Sequence, residues 1–435
     1  MHHPSRSVHS DKQNPYGYDR HLFAAILGNA IEYYDNALYG LLAAFLARAF
    51  FGFRESSAAL LAIYATFIIS YAVRPIAGVL LGRLADLRGH RFALMLTVNL
   101  MTLGTFGIGI LPTYRALGIW SPLLLVLCRA MQGIGASAEF TVATSYALEH
   151  GPAHRQQYLS GWSIAATNVG PLIASVVAMV VTWIYGDAFF ESGAWRIPFL
   201  LAGPVGLLTF YLRAQIADDG PLNRASGAEL KCPRVPLFHA LRGQWGMVTR
   251  VIALGAGQRV GGFCIQTYFV TALIRHGFEG PLAMFGSILL YLVGAPAAIF
   301  GGLLADRIGG HKVLVVGFAI FAVVAVPLFS VLGSSLPLTL LALVTCSTIN
   351  NMIAPPLSHA YIMAFPSAIR GAAAALNYNL GTVLFGATSP LIATWLVSFT
   401  GSDIAFGWYM AALCLLSCLT AAFAYPRQLA RVAAE

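Results

Sequence analysis

The chain has 435 residues, of which 58% are hydrophobic and only 10% charged, where a water-soluble domain carries roughly a quarter charged. That imbalance excludes a soluble globular protein and points to a bilayer. Lysine and arginine (26) outnumber aspartate and glutamate (17), for a net charge of +9, but the bases are scattered over separate short loops, which excludes a nucleic-acid-binding face.

Met1 to Arg20 is polar and lacks the pattern of a cleavable export signal. The first apolar run, 22–50, exceeds the ~20 residues a helix needs to cross the hydrocarbon core, and further spans are expected at 58–81, 92–111, 122–148, 158–184 and 195–212. The polar stretch 214–246, with Pro221, Pro233 and Pro236, reads as a solvated cytoplasmic linker. Six more spans follow at 247–274, 281–304, 313–332, 336–365, 372–399 and 404–424. The expected architecture is an all-α membrane protein of twelve transmembrane helices: a tail at 1–21, a six-helix bundle at 22–213, the linker, a second bundle at 247–425 and a tail at 426–435. Placing both termini inside puts eighteen of the 26 basic residues on the cytoplasmic side and five on the other, the asymmetry that sets membrane orientation. Arg74, Arg129 and Arg259 remain within spans. The six cysteines fall mostly in apolar segments without metal-ligand spacing. Neither a metal nor a cofactor is expected.

GRLADLRGHR at 82–91 and GLLADRIGGHK at 302–312 are near-copies 220 residues apart, so one membrane unit occurs twice, as in carriers built from two related halves. The first of these loops resembles the signature loop of the major facilitator superfamily. Together with GNAIEYYDNALYG (28–40), RPIAGVLLGRLAD (74–86), RAMQGIGASAEF (129–140) and WRIPFLLAG (195–203), the chain resembles its metabolite:proton symporters. That resemblance implies the major facilitator fold, two pseudo-symmetric six-helix bundles around a central cavity that alternates between inward- and outward-open states. It also implies carriage of dicarboxylates, citrate, 2-oxoglutarate, shikimate, proline or betaine. The chain departs from the family at Asn36, Leu87 and Ala138, where an aromatic, a basic residue and a glycine are usual.

An ionisable group within a span costs about 2.5–3.5 kcal/mol at the helix centre on insertion scales, so it ordinarily faces a partner or a cavity. Glu32 and Asp35 share one face of the first helix with Gly28 and Tyr39, and Arg129, Gln132, Ala136 and Glu139 form a stripe on the fourth. These facing stripes predict that Glu32 or Asp35 exchanges its proton and its pairing with Arg129 during transport. The competing expectation is a permanent structural ion pair. Arg74 lies nearer the signature loop and is read as a gate residue or as snorkelling towards headgroups. Arg259, deeper in the seventh helix among Gly257, Gly261 and Gly262, suits a ligand carboxylate through its planar fork of donors. Tyr39, Gln258, Gln266, Asn350, Asn351 and Asn377 are further candidate ligands, with Asn379 and His359 as polar neighbours. In the two loops, Asp86 with Arg91 and Asp306 with Arg307 are expected to act as gate latches. Gly170-Pro171 is shared with proton-driven exporters of the superfamily, and Pro355-Pro356 predicts a bend in the tenth helix.

The expected function is proton-coupled symport of a small anionic or zwitterionic metabolite, by a monomer in the inner or plasma membrane. Protons, the solute and membrane lipid are its partners. Proton-driven export of a metabolite, siderophore or drug is the alternative, and a solute sensor without turnover a more distant one. Nothing in the chain has the spacing of a catalytic site.

Overall fold

The computed structural model describes residues 32–52, 56–88, 90–137, 155–214, 244–365 and 370–424. Within them lie twelve helical rods: α1 (32–50), α2 (56–88), α3 (His90–Ile110), α4 (Trp120–Ala136), α5 (Gln156–Tyr185), α6 (194–214), α7 (245–275), α8 (Gly280–Ile308), α9 (Gly310–Ser330), α10 (Leu336–Met363), α11 (370–400) and α12 (Ile404–Ala424). Each overlaps one expected span. The remainder of the first and fourth spans, with Gly28 and Glu139, lies outside the described residues, as does most of the linker.

The molecule is built inside out relative to a soluble protein. Large apolar side chains such as Trp183, Val323 and Phe399 are exposed on the outer surface, while Glu32, Asp35, Arg74, Arg129 and Arg259 are all at most 5% exposed. A bilayer explains both facts, since lipid solvates the outer apolar face and every polar group must find its partner within the protein. Among the described residues, eight helices are long and apolar enough to cross a membrane by length and composition. Those that miss the mark include α1 and α7, whose hydropathy is lowered by the same buried charges and amides that distinguish them.

Several rods are interrupted, and the interruptions follow glycine and proline. A turn at Val73 divides α2 just before Pro75, one at Asn168 divides α5 before Gly170-Pro171, and one at Leu201 divides α6 before Gly203-Pro204. Proline cannot donate to the carbonyl one turn back, so the ladder opens there. Helices α7 and α11 are each broken twice: α7 turns at Gly255 and widens into a π-helical stretch at Cys264–Tyr268, and α11 widens at Thr382–Ala387 and turns at Thr388. By contrast, α10 runs unbroken from Leu336 to Met363 with Pro355 and Pro356 inside it.

The second signature loop shows why its glycines are there. Gly309 takes φ +94° and reverses the chain between α8 and α9 within one residue, a conformation that a side chain disfavours. Gly302 lies against the backbone of Gln157 and Tyr158, where a Cβ would stand 3.0 Å from Tyr158 Cα. Its bareness lets α5 of the first half and α8 of the second approach closely.

Candidate solute cavity and buried charges

A cavity of about 130 Å³ lies between the halves. The first half contributes Tyr33 from α1 and Ile164, Thr167, Asn168 and Pro171 from α5, while α7, α8, α10 and α11 supply the remainder. Of the residues singled out from the sequence, Gln258, Arg259, Gln266, Asn350 and Asn351 line it. The breaks in α7 and α11 place Ile265, Gln266 and Thr382 on its wall, the usual consequence of a π-helical widening that turns side chains out of register.

Arg259 is the charged residue of this wall. It is 3% exposed, and its Nε, Nη1 and Nη2 have no hydrogen-bond acceptor. The guanidinium lies 4.7 Å from the Tyr361 ring centre and 5.7 Å from that of Tyr378, so aromatic faces partly offset its charge. Room for it comes from two missing side chains, since a Cβ on Gly381 would meet Arg259 Cζ at 2.6 Å and one on Gly255 would collide with Nη1. A buried cation with unused donors is costly. Asn350 Oδ1 and the Tyr291 hydroxyl are likewise buried without partners on the same wall, and the Tyr361 hydroxyl adjoins the guanidinium.

The buried charges of the first half are arranged differently from the expected pairing. Glu32 does not pair with Arg129: its Oε1 accepts from Arg74 Nη1 at 2.7 Å, with the Tyr71 ring centre 4.0 Å from Arg74 Cζ. Arg74 therefore does not snorkel. It sits 3% exposed just after the Val73 break. Asp35 does not touch Arg129 either, because its Oδ2 accepts from Thr105 Oγ1 at 2.6 Å. Residues three apart on a helix differ by about 60° in direction and ~4.5 Å in height, which lets Glu32 meet α2 while Asp35 meets α3. Arg129 is fully buried, donating to Gln132 Oε1 at 2.7 Å and lying 4.1 Å from the Tyr39 ring centre and 4.9 Å from that of Phe67.

Arg129, Gln132, Tyr39 and Asn377 are not on the cavity wall. Tyr39 bonds to Thr66, and Asn377 donates to Val248 O at 3.0 Å, joining α11 to α7. Sequence reasoning also missed Tyr33, Phe263, Tyr291, Tyr361 and Tyr378 as wall residues. In an apolar span, an aromatic facing a cavity looks the same as one facing lipid.

The halves also touch on either side of the cavity. At the signature-loop end, Asp306 accepts from the backbone N–H groups of Gln157 (3.2 Å) and Tyr158 (2.9 Å), in the first turn of α5. His359 Nε2 lies 3.1 Å from Gln156 Oε1 at this end, while on the cavity wall itself Asn168 Nδ2 donates to Asn351 Oδ1 at 3.1 Å. Arg307 is exposed, and the side chains of Asp86 and Arg91 lie outside the described residues. At the opposite end, Tyr64 of α2 shares a 2.9 Å hydrogen bond with Thr271 of α7. The end of α7 is itself tied down by Asp403, which accepts from Tyr268 and Arg275 and lies 2.7 Å from His276 Nε2. Burial pushes the Asp403 carboxyl up, but the hydrogen bond from Tyr268, the charge of Arg275 and the hydrogen bonds from His276 and Arg275 outweigh it and hold it below the usual carboxylate value.

Comparison with known proteins agrees with this architecture. The model of the Major Facilitator Superfamily matches residues 25–380. The glycine betaine/proline/ectoine/pipecolic acid transporter OusA of Dickeya dadantii is 29% identical over 414 residues, covering 92% of this chain and 82% of that protein. The proline/betaine transporter of Escherichia coli K12 is 28% identical over 410 residues, covering 91% and 81%. Among solved structures, a partially occluded inward-open form of the xylose transporter XylE from E. coli aligns with a TM-score of 0.73 at 18% identity, over 92% of this chain and 95% of that one. A D-xylose-proton symporter aligns with a TM-score of 0.72 at 20% identity, over 93% and 96%.

Proposed function

Because the chain belongs to the Major Facilitator Superfamily, and so is an integral membrane transporter of twelve helices and not an enzyme, we propose that it is a proton-coupled symporter of a small zwitterionic solute carrying one carboxylate. The observation that carries this proposal is Arg259: a buried guanidinium with unused donors on the wall of a cavity between the halves. A carboxylate entering the cavity would receive two parallel hydrogen bonds from it. Asn350 Oδ1 and the Tyr291 and Tyr361 hydroxyls offer further polar contacts, and the faces of Tyr33, Phe263 and Tyr378 suit an ammonium or apolar end. One such guanidinium favours a monocarboxylate over a di- or tricarboxylate. The names of the relatives, which carry betaine, proline, ectoine and pipecolic acid, support the same class.

Protons are assigned to the carboxylates of the first half. Glu32, held by Arg74, and Asp35, linked to Arg129 through other side chains, can each change charge while buried, provided the partner rearranges. The halves rock about the cavity, and Asp306 on the first turn of α5 latches one end shut. Asp86 and Arg91, at the equivalent place in the repeat, are assigned the same role. Both termini are placed in the cytoplasm, the bundles at 22–213 and 247–425 being joined by the linker at 214–246.

Purified protein in proteoliposomes should accumulate labelled glycine betaine or L-proline when the outside is made acid, and lose the accumulation when a protonophore is added. Gradient-driven loss of solute from preloaded vesicles would instead mean export. Binding without movement in either direction would mean a sensor.

A further inference from the structure

Three hydrogen bonds in the first half run in one direction. Arg129 Nη1 donates to Gln132 Oε1 (2.7 Å), Gln132 Nε2 donates to Thr105 Oγ1 (2.7 Å), and Thr105 Oγ1 donates to Asp35 Oδ2 (2.6 Å). The row begins on a guanidinium, which only donates, and ends on a carboxylate, which when ionised only accepts. Opposite charges on α4 and α1 are thus joined through two neutral side chains, all four residues being buried.

Thr105 has a second acceptor, the Met101 carbonyl at 3.0 Å. A hydroxyl carries one proton and two lone pairs, so Thr105 has two alternative bonding patterns. With Asp35 ionised, the hydroxyl proton points to the carboxylate while one lone pair takes Gln132. With Asp35 protonated, the carboxyl O–H donates into the other lone pair, and the hydroxyl proton turns to Met101 O. Neither pattern leaves the Thr105 hydroxyl proton, the carboxyl proton or the Gln132 donor without an acceptor. Hydroxyls such as Ser175 on Pro171 O and Thr182 on Ala178 O bond only within their own helix, without a carboxylate to answer.

We propose that Thr105 is a positioning residue for proton uptake, a hydroxyl toggle that lets Asp35 gain and lose a proton while keeping its link to Gln132 and Arg129. The proposal rests on the symport reading of the chain. The charged and titratable groups around Asp35 among the described residues are Arg129 from α4 and Tyr34 on its own helix. Glu32, one turn along α1, is held by Arg74 from α2, and α3 contributes the hydroxyl itself.

The test is an infrared titration of the protonated-carboxyl band in purified, lipid-reconstituted protein, which needs no solute. Asp35→Asn identifies the Asp35 band by its loss. Thr105→Val and Thr105→Ala remove the donor to the ionised form, so the midpoint of that band should move alkaline by about one pH unit or more, and Thr105→Ser should restore it. A residue that merely clamps α1 to α3 would lower the melting temperature and leave the midpoint in place. An unmoved midpoint in whichever of the Val and Ala variants folds would overturn the toggle. Uptake of labelled glycine betaine and L-proline is measured alongside. Absent uptake with a shifted band would sink the symport reading alone, and intact uptake with an unmoved band would sink the toggle alone.

Discussion

At the residue scale, the chemistry turns on guanidinium groups that have burial in common and little else. Arg74 has a carboxylate, Arg129 has a glutamine amide and two rings, and Arg259 has only rings. Their need for a ligand rises in that order of incomplete satisfaction, with Arg259 alone lining the cavity. Replacing Arg259 with Lys keeps the charge but removes the two-donor fork. The affinity for glycine betaine or L-proline, read by calorimetry, should fall at least tenfold while the protein still folds. Unchanged affinity would move the carboxylate site elsewhere. That buried charges mattered was legible from the sequence, because an arginine in an apolar span needs a reason. Which carboxylate each arginine meets was not. Glu32 and Asp35 look interchangeable as letters, and only the angular offset between them sends one to Arg74 and the other to Thr105. Thr105 itself carries no signal in one dimension, since a threonine in a membrane helix ordinarily bonds its own preceding turn.

At the scale of elements, the spans were readable because hydropathy must persist for the full depth of a bilayer. The breaks in α2, α5 and α6 were announced by proline, yet the paired prolines of α10 sit inside one continuous helix and the π-helical stretches of α7 and α11 have no comparable mark. Helix α5 bears most directly on movement, because its first turn abuts α8 and its middle lines the cavity. A carboxylate at a helix N-terminus contributes about 0.3–2 kcal/mol, enough to shift a two-state balance by up to roughly thirtyfold. Asp306→Asn should therefore change the turnover of uptake several-fold while leaving equilibrium solute affinity within about twofold. Turnover equal to the unaltered protein would remove the latch.

At the scale of the whole molecule, contacts on both sides of the cavity mean that access from either side requires one set to break. Cysteines replacing Tyr64 and Thr271 should form a disulfide under oxidation that stops uptake, with reduction restoring it; full uptake by the cross-linked protein would show that this end need not open. The Asp403 cluster anchors the same end and adds a dependence on acidity. Its carboxyl is held below the usual carboxylate value in the folded protein, so its stabilisation is fully present above the unfolded value of about 3.9 and fades as pH falls through the lower folded one. Asp403→Asn should lower the melting temperature at pH 7, and the difference from the unaltered protein should shrink below about pH 4. The donors that meet Asp306 are main-chain amides of residues 157 and 158, and this has an unusual mutational signature. Most side chains at 158 should be tolerated by that contact, as every one of them but proline brings the same N–H. Proline, ordinarily a harmless guest in the opening turn of a helix, should be the one substitution there that removes one of the two bonds to Asp306 and weakens this latch.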